Sequence, residues 1–269
     1  MGGSCGTSVF HPPVHPSPPA SEIEPYADEA LCCIQNPHAA DGGRVWGQYV
    51  LQYSSAQHLY NYAVSGAVCS NNITPRYFSA IDAPFPAVAE YEIPAYIADS
   101  QYVKPNGKKF LQGGADETVY AIWIGTNDLG YYAFVQDEQV AGTNLTSYVD
   151  CVFASLKKVY ENGGRYFVLF NNAPLYYAPE YAAPPNDVGA NQYWPDKPRN
   201  HTLINQRMVE EVVTTNAIFE YRTPVEVVVD GSWPGARFAV FDVNGLVRFP
   251  PLPCPRLPIC VPIDLTANR

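Results

Sequence analysis

Residues 119–130 read VYAIWIGTNDLG, and this stretch decides the fold class. It begins with an apolar and aromatic run, which is typical of a strand buried in a parallel sheet, and we predict a strand over 118–124. The Gly-Thr-Asn-Asp sequence that follows predicts a sharp turn at Gly125. Ligands of open parallel sheets bind beyond the carboxyl ends of the strands. Asn127 is therefore a candidate binding residue.

Strand and helix patterns alternate along the rest of the chain. Helices are predicted over 42–57, 85–100 (with Pro94 interrupting), 145–162 and 201–222. The third helix has the clearest apolar stripe and stops at Gly163; the stripe is Leu145, Val149, Val152, Phe153, Leu156 and Val159. Strands are predicted up to Ser65-Gly66, at 165–171 and at 237–246. This order predicts an α/β fold, a parallel sheet covered by helices on both faces.

Proline-rich segments bound the predicted domain at both ends. Seven prolines fall within residues 1–40, and six fall within 250–262. We therefore predict an irregular head at 1–41, one globular domain at 42–249 and an irregular tail at 250–269.

Composition excludes several classes of partner. A net charge of −10 and a pI near 4.9 argue against nucleic acid and against an anionic membrane surface. No apolar run reaches the length needed to span a bilayer. No Gly-rich phosphate loop follows any predicted strand, which argues against a nucleotide binder, and the cysteines and histidines have no metal-binding spacing. Neither a metal nor an organic cofactor is implied, and the oligomeric state is left open.

Cysteines and glycosylation motifs favour secretion. The chain has 7 cysteines without a CxxC pair, and Asn-x-Ser/Thr motifs begin at Asn72, Asn144 and Asn200. These features predict an extracellular glycoprotein. The first twenty residues nevertheless lack the charged start and apolar stretch of a signal peptide, which favours an incomplete chain.

Two hydrogen-bond donors are expected at neighbouring strand ends. Asn127 offers a side-chain amide, and Gly66 offers a backbone N–H that no side chain shields. A carboxamide and a bare N–H form the donor set of an oxyanion hole. The alternative is that Asn127 and Asp128 merely shape the turn after the strand, and that Gly66 is an ordinary turn glycine.

A family resemblance favours the oxyanion-hole interpretation. The segments IWIGTNDLG and NYAVSGAVCSN resemble the third and second sequence blocks of the SGNH, or GDSL, hydrolases. Finer likeness over roughly 40–247 is to fungal acetylesterases of carbohydrate esterase family 16. The resemblance implies a flavodoxin-like three-layer α/β/α fold and a serine esterase that removes acetyl groups from carbohydrates or small esters. It also implies that Gly66 and Asn127 are the oxyanion donors.

Two catalytic blocks of that family are absent from the sequence. No Gly-Asp-Ser occurs, so the nucleophile is missing, and the strand before it is predicted to be missing too. No histidine follows an Asp by three positions, and the five histidines are His11, His15, His38, His58 and His201. Ser4 fits Gly-x-Ser-x-Gly, but it lacks the strand and helix that this motif needs.

The missing blocks predict a chain that is inactive as written. Without a base, a serine hydroxyl is a poor nucleophile, and without the serine nothing attacks the ester. We expect an incomplete or mis-spliced family member. The alternative is a pseudoenzyme that binds carbohydrate or another partner. Asp242, at the end of the last strand, resembles a residue that helps the strand exit rather than the missing catalytic Asp.

Several further residues leave alternatives open. The resemblance gives Cys69 and Cys151 counterparts in the family, so either could join a disulfide, while Cys151 could equally be a small buried apolar residue. The loop 174–198 is rich in aromatic residues that could stack on sugar rings or pack against the core; they are Tyr176, Tyr177, Tyr181, Tyr193 and Trp194.

Overall fold

The computed structural model describes residues 43–248. Within that range the chain forms two compact units. The first consists of the described part of Met1–Gly114 together with Ile124–Asn162. The second consists of Ala115–Trp123 together with the described part of Gly163–Arg269. The predicted head at 1–41 and tail at 250–269 lie outside the described residues, and so do Ser4, His11, His15 and His38.

The first unit is mainly helical. Its elements are the helices α1 (Trp46–Tyr53), α2 (Ile93–Gln101), α3 (Thr126–Leu129) and α4 (Leu145–Glu161), and the short antiparallel pair β1 (Tyr77–Phe78) and β2 (Ala83–Pro84). The helix predicted over 85–100 is confirmed as a π-helical turn, Val88–Glu92, followed by α2. Pro94 lies in the first turn of α2, where its missing N–H removes no helical hydrogen bond.

Helix α4 is the element that the sequence predicted best. Asn144 caps it by accepting a hydrogen bond from the Ser147 N–H at 3.0 Å, and the Ser147 hydroxyl accepts one from the Asn144 N–H. This reciprocal pair is a capping box. The predicted apolar stripe is buried from Val149 to Val159. The chain leaves the helix through Gly163, whose φ of +104° is a conformation that favours glycine.

The prediction of a strand that ends at Ser65-Gly66 is wrong. Val64–Ala67 instead form a β-turn closed by a hydrogen bond from the Ala67 N–H to the Val64 carbonyl, at 3.0 Å. Gly66, the third residue of the turn, has a φ of +91°, whereas Ser65 before it has a negative φ. These angles make a type II turn. An apolar run becomes a strand only when a neighbour supplies ladder hydrogen bonds, and no described strand pairs with 59–66.

The second unit contains the parallel sheet. Strands β3 (Val119–Ile122), β4 (Tyr166–Phe170) and β5 (Arg237–Phe241) lie in that order, with Phe167 opposite both Tyr120 and Phe238. The rings of Phe167 and Phe238 stack with centroids 4.6 Å apart. Helix α5 (His201–Pro224) packs on β5. The strand predicted over 237–246 ends at Phe241, and helix α6 (Val243–Arg248) takes up the rest of that segment. The predicted parallel sheet and α/β class are confirmed.

Strand β3 is more exposed than the sequence predicted. Continuous apolar composition indicated burial on both faces, yet Val119 has 62% of its surface exposed and Ala121 is also exposed. The physical reason is the position of the strand, since β4 is its single ladder partner among the described residues. None of the helices in 43–248 is long and apolar enough to cross a membrane.

Candidate functional site

The Gly-Thr-Asn-Asp segment turns sharply after β3, as the sequence predicted. Gly125 has a φ of +127°, and α3 starts at the next residue. This geometry presents Asn127 half-buried within the first unit. A glycine is required at 125 because a side chain is rarely tolerated at that backbone angle.

Asn127 reaches the segment that contains Gly66. Its Nδ2 atom donates to the Ala67 carbonyl at 2.9 Å, which fixes the carboxamide beside the type II turn. An amide nitrogen carries two hydrogens, and this bond uses one of them. Among residues 43–248 no acceptor takes the second. Asn127 therefore keeps one donor available next to the turn.

Gly66 supplies a second available donor. The hydrogen bond of the turn uses Val64 and Ala67, and it leaves the central peptide, which carries the Gly66 N–H, without a role in the turn. No acceptor within the described part of the chain takes this N–H. A Cβ at position 66 would lie 2.9 Å from Cζ of Phe85, and the positive φ would add strain. Both the space and the backbone angle therefore demand glycine.

Asp128 connects the segment of Asn127 with the segment that follows Gly66, through hydrogen bonds inside the first unit. Its fully buried carboxylate accepts from the Cys69 N–H at 2.9 Å and from the Thr74 hydroxyl at 3.0 Å. Burial raises the pKa of Asp128 to about 6, although these hydrogen bonds oppose the rise. The sequence suggested only a turn residue here. The sequence shows an Asp directly after Asn127, but the hydrogen-bond partners of this Asp, Thr74 and Cys69, lie 54 and 59 positions away, where no local pattern reveals them.

A disulfide anchors the same segment. Cys69 is bonded to Cys151 of α4, and the two Cα atoms lie 6.2 Å apart. Of the alternatives that the sequence left open, the disulfide is the one present. The remaining five cysteines, including Cys254 and Cys260, lie outside the described residues.

Glu92 holds the other end of the turn. Its Oε1 atom accepts from the Val64 N–H at 2.8 Å, and burial raises its pKa to about 8. A protonated carboxyl group still accepts through its carbonyl oxygen, so this bond survives in the neutral form. Glu92 and Asp128 thus each accept a hydrogen bond from a main-chain N–H, one before and one after Gly66.

The two histidines that the structure describes, His58 and His201, lie in different surroundings. His58 is exposed and stacks on Tyr60, with ring centroids 6.1 Å apart. Asn200 rather than His201 caps α5, and the half-buried Nδ1 of His201 bonds Asp187. That hydrogen bond lowers the pKa of Asp187.

Asp242 organises the chain after β5. Its Oδ1 atom accepts from Asn171 Nδ2 at 2.7 Å and from the Gly245 N–H at 2.8 Å, so it starts α6. A Cβ on Gly245 would lie 2.1 Å from Oδ2 of Asp242, which explains the glycine. Asp242 is a structural residue of the strand exit.

The aromatic loop divides into buried and exposed rings. Trp194, Tyr181 and Tyr176 are buried, whereas Tyr177 and Tyr193 expose 61% and 66% of their surfaces. The packing alternative therefore holds for the first three, and the sugar-stacking alternative is left for the last two.

Buried Lys197 ties this loop together. Its Nζ atom donates to the carbonyls of Glu180 and Val188 and lies 5.5 Å from the centroid of the Trp194 ring. Desolvation lowers the pKa of Lys197. A buried cation that donates to two carbonyls and lies near an aromatic ring stabilises the packing of this loop.

Comparison with known proteins gives a family model and curated relatives that match this chain. The family model described as GDSL-like Lipase/Acylhydrolase matches residues 34–229, which include both donors. An acetylesterase of Hypocrea jecorina is 39% identical over 212 residues, covering 77% of this chain and 59% of that protein. An acetylesterase of Thermothelomyces thermophilus is 28% identical over 142 residues, covering 52% and 43% respectively.

The chain thus spans only about two-fifths to three-fifths of the length of the curated relatives that it matches. The family model nevertheless covers well over half of the 269 residues. The chain has an α/β fold and belongs to the GDSL-like lipase/acylhydrolase family.

Proposed function

We propose that this protein carries the oxyanion-binding half of an acetylesterase that acts on acetylated carbohydrates or other small acetyl esters. Gly66 N–H and the Asn127 amide would together bind the oxygen that becomes negative as the ester carbonyl is attacked. The observation that carries the proposal is the hydrogen bond from Asn127 Nδ2 to Ala67, which places one donor beside the turn that presents the other. The family and the acetylesterase relatives support the reaction class.

The chemistry of such a site is two-step acyl transfer. A serine attacks the ester carbonyl with help from a histidine base, the alcohol leaves, and water then releases acetate. Donors placed for the oxyanion stabilise both tetrahedral intermediates, and losing one typically costs a factor of about 10²–10³ in rate. In this chain the oxyanion donors are the part of that machinery that can be assigned to residues.

The 269-residue chain is proposed to bind esters or acetate without turning esters over. It contains neither Gly-Asp-Ser nor Asp-x-x-His, and the described histidines have structural partners or lie exposed. An oxyanion hole without a nucleophile lowers the energy of an intermediate that is never formed. We expect p-nitrophenyl acetate hydrolysis by this chain to be linear in substrate and indistinguishable from that of N127A. Saturable hydrolysis that N127A abolishes would contradict the proposed inactivity.

A non-catalytic carbohydrate binder is the second candidate. The exposed rings of Tyr177 and Tyr193 favour it, because flat aromatic faces bind sugar rings. Titration with acetylated and deacetylated xylo-oligosaccharides separates the candidates. An acetyl-specific site prefers the acetylated form and loses that preference in N127A, whereas a ring-stacking site binds both forms and is weakened by Y177A or Y193A.

Secretion with N-linked glycans is part of the proposal. The three motif asparagines, Asn72, Asn144 and Asn200, are all exposed. Two of them cap helices through their side-chain oxygen, which leaves the nitrogen that would carry a glycan unused by the cap. Glycosylation is therefore compatible with both caps.

Asn144 allows the cap and the glycan to be separated. When the protein is secreted from a eukaryotic host behind a supplied leader, we expect T146A to lose one glycan but keep its stability after enzymatic deglycosylation. N144A should lose the same glycan and also roughly 1 kcal/mol of unfolding free energy, because the cap is gone. Mass spectrometry and urea unfolding measure the two effects. Equal stability of N144A and T146A would contradict the capping role.

A further inference from the structure

A groove in the first unit lies beside one of the three glycosylation motifs. Its volume is about 490 Å³, and its walls come from helix α4 and from the segments 70–73 and 89–90. This volume is within the range of ligand pockets, roughly 300–1,000 Å³. Asn72 is one of the lining residues, whereas Asn144 and Asn200 are not. One of the three motif asparagines therefore stands at a ready-made groove.

Asn72 is anchored at the rim of this groove. The residue is exposed, its main-chain N–H donates to the Ser70 hydroxyl at 3.1 Å, and its Nδ2 atom donates to Glu90 Oε1 at 3.3 Å. Glycosylation replaces one of the two hydrogens on Nδ2, and the contact with Glu90 needs only one. Ser70 and Glu90 line the groove as well. A sugar on Asn72 would therefore begin next to the groove.

The lining of the groove suits a sugar ring. Ile73, Ala89 and Ala154 provide apolar surface, while the exposed Glu90 and Lys158 provide an acceptor and a donor. N-acetylglucosamine, the first sugar of N-linked glycans, has the same mixed character. Its ring C–H groups and its acetyl methyl are apolar, whereas its hydroxyl and amide groups form hydrogen bonds. Ligand sites commonly combine an apolar wall with a few polar groups in this way.

The groove also contains an unsatisfied polar group. Ser155 is 1% exposed, and its Oγ atom has no hydrogen-bond partner within residues 43–248. Most buried side-chain hydroxyls are paired with the protein or with an ordered molecule. Because Ser155 lines the groove, this hydroxyl favours a polar occupant over an empty groove.

The same groove leads to the Cys69–Cys151 disulfide. Cys151 is half-buried and lines the groove, whereas Cys69 is completely buried. A thiolate that opens a disulfide must reach one of its two sulfur atoms. An occupant of the groove would therefore restrict the approach to the disulfide from the side of Cys151.

We propose that the groove receives the first N-acetylglucosamine of a glycan on Asn72, and that this sugar covers the Cys151 side of the disulfide. The inference rests on the proposed secretion with N-linked glycans and adds a binding surface and a protective role for one of them. Asn144 and Asn200 do not line the groove, so sugars on these residues are internal controls.

The test uses the 269-residue chain secreted from a eukaryotic host behind a supplied leader, with its glycans trimmed enzymatically to one N-acetylglucosamine. Mass spectrometry gives the occupancy of each asparagine. By NMR we expect nuclear Overhauser contacts from the Asn72 sugar to the methyl group of Ala89, and none from the other two sugars. N72Q assigns the signals of the Asn72 sugar; T74A is unsuitable, because the Thr74 hydroxyl donates to Asp128.

Two variants of α4 show whether the groove is responsible. A154F places a ring in the groove at an exposed helix position and should abolish the contact between the sugar and Ala89. E161F adds the same ring at an exposed position of α4 outside the groove and should leave that contact intact. A contact that persists in A154F would show that the sugar lies elsewhere and would overturn the proposal.

The rate of disulfide reduction measures the protective role. Under native conditions, we expect dithiothreitol to open the disulfide severalfold more slowly in the glycosylated wild type than in N72Q. T146A, which loses the Asn144 glycan instead, should be reduced at the wild-type rate. Equal rates for the wild type and N72Q would overturn the protective role.

The occupancies separate this inference from the proposed secretion. If Asn144 and Asn200 carry sugar while Asn72 is bare, or if the Asn72 sugar makes no contact with Ala89, this inference alone fails. If none of the three asparagines carries sugar, the inference fails together with the proposed glycosylation.

Discussion

Opening the Cys69–Cys151 disulfide is expected to lower the free energy of unfolding by roughly 4 kcal/mol, since it closes a loop with a sequence separation of 82. The cross-link stabilises the protein chiefly by restricting the unfolded chain, and its effect grows with the logarithm of loop length. Urea unfolding of the native and dithiothreitol-reduced chain measures the loss. Such a loss is a large share of the stability of an ordinary domain.

The variant C69A/C151A is the matched control. It should be about as unstable as the reduced protein, and dithiothreitol should change it no further. Since the Cys69 N–H is also bound by Asp128, opening the disulfide should broaden the Gly66 amide signal. A loss below about 1 kcal/mol on reduction would contradict the stabilising role, because a loop of this length should contribute several times more.

Replacing Asp128 by Asn is expected to flatten the dependence of stability on pH. The folded pKa of Asp128 is about 6, against an ordinary value of 3.8. The folded state therefore keeps its proton at pH values where the unfolded state has lost it, and rising pH favours unfolding. The contribution is complete below pH 3.8 and is lost as pH rises through 6. Two pKa units correspond to about 3 kcal/mol.

The measurement is urea unfolding of wild type and D128N at several pH values. Between pH of about 4 and 7, D128N should lose about 3 kcal/mol less than the wild type. The pKa of Glu92 is raised from 4.5 to about 8, so Glu92 affects the free energy of unfolding over a wider pH range. The control E92Q should therefore change the dependence of stability on pH up to about pH 8. Parallel stability curves for wild type and D128N would show that Asp128 titrates normally in the folded protein.

The sequence predicted the elements that local pattern determines. The apolar stripe of α4, its Gly163 stop and the apolar runs of β3 and β4 depend on neighbouring residues, and all were confirmed. The segment 59–66 has the same apolar character, but it makes a single β-bridge at Val64 and no described strand runs beside it. Strand formation depends on a second segment, so composition alone misassigned it.

The candidate site was predictable only in part, because some of its contacts join residues that are distant in the sequence. Gly66 and Asn127 could be selected because their residue types and block spacing carry a family pattern. Arg76 and Asp128 could not, because their contacts with Gly66 and Cys69 span 10 and 59 positions and are created by the fold. A short polar side chain such as Asp128 looks like a turn residue until its burial is known.

The aromatic loop shows the same limit. All five aromatic residues look alike in sequence, and burial separates Trp194 from Tyr193, its direct neighbour. Trp194 packs near Tyr181 and the Lys197 ammonium group, which are contacts made by the fold. No periodic pattern exists in an irregular loop, so the sequence left the packing and stacking alternatives open.

Gly66 and Asn127 are proposed to act on the same oxygen atom, and a crystal structure of the chain with acetate bound is the most direct test. We expect one carboxylate oxygen at about 3 Å from both Gly66 N and Asn127 Nδ2, the distance at which an oxyanion hole works. Acetate absent from the turn, or bound by only one donor while the other points elsewhere, would contradict it.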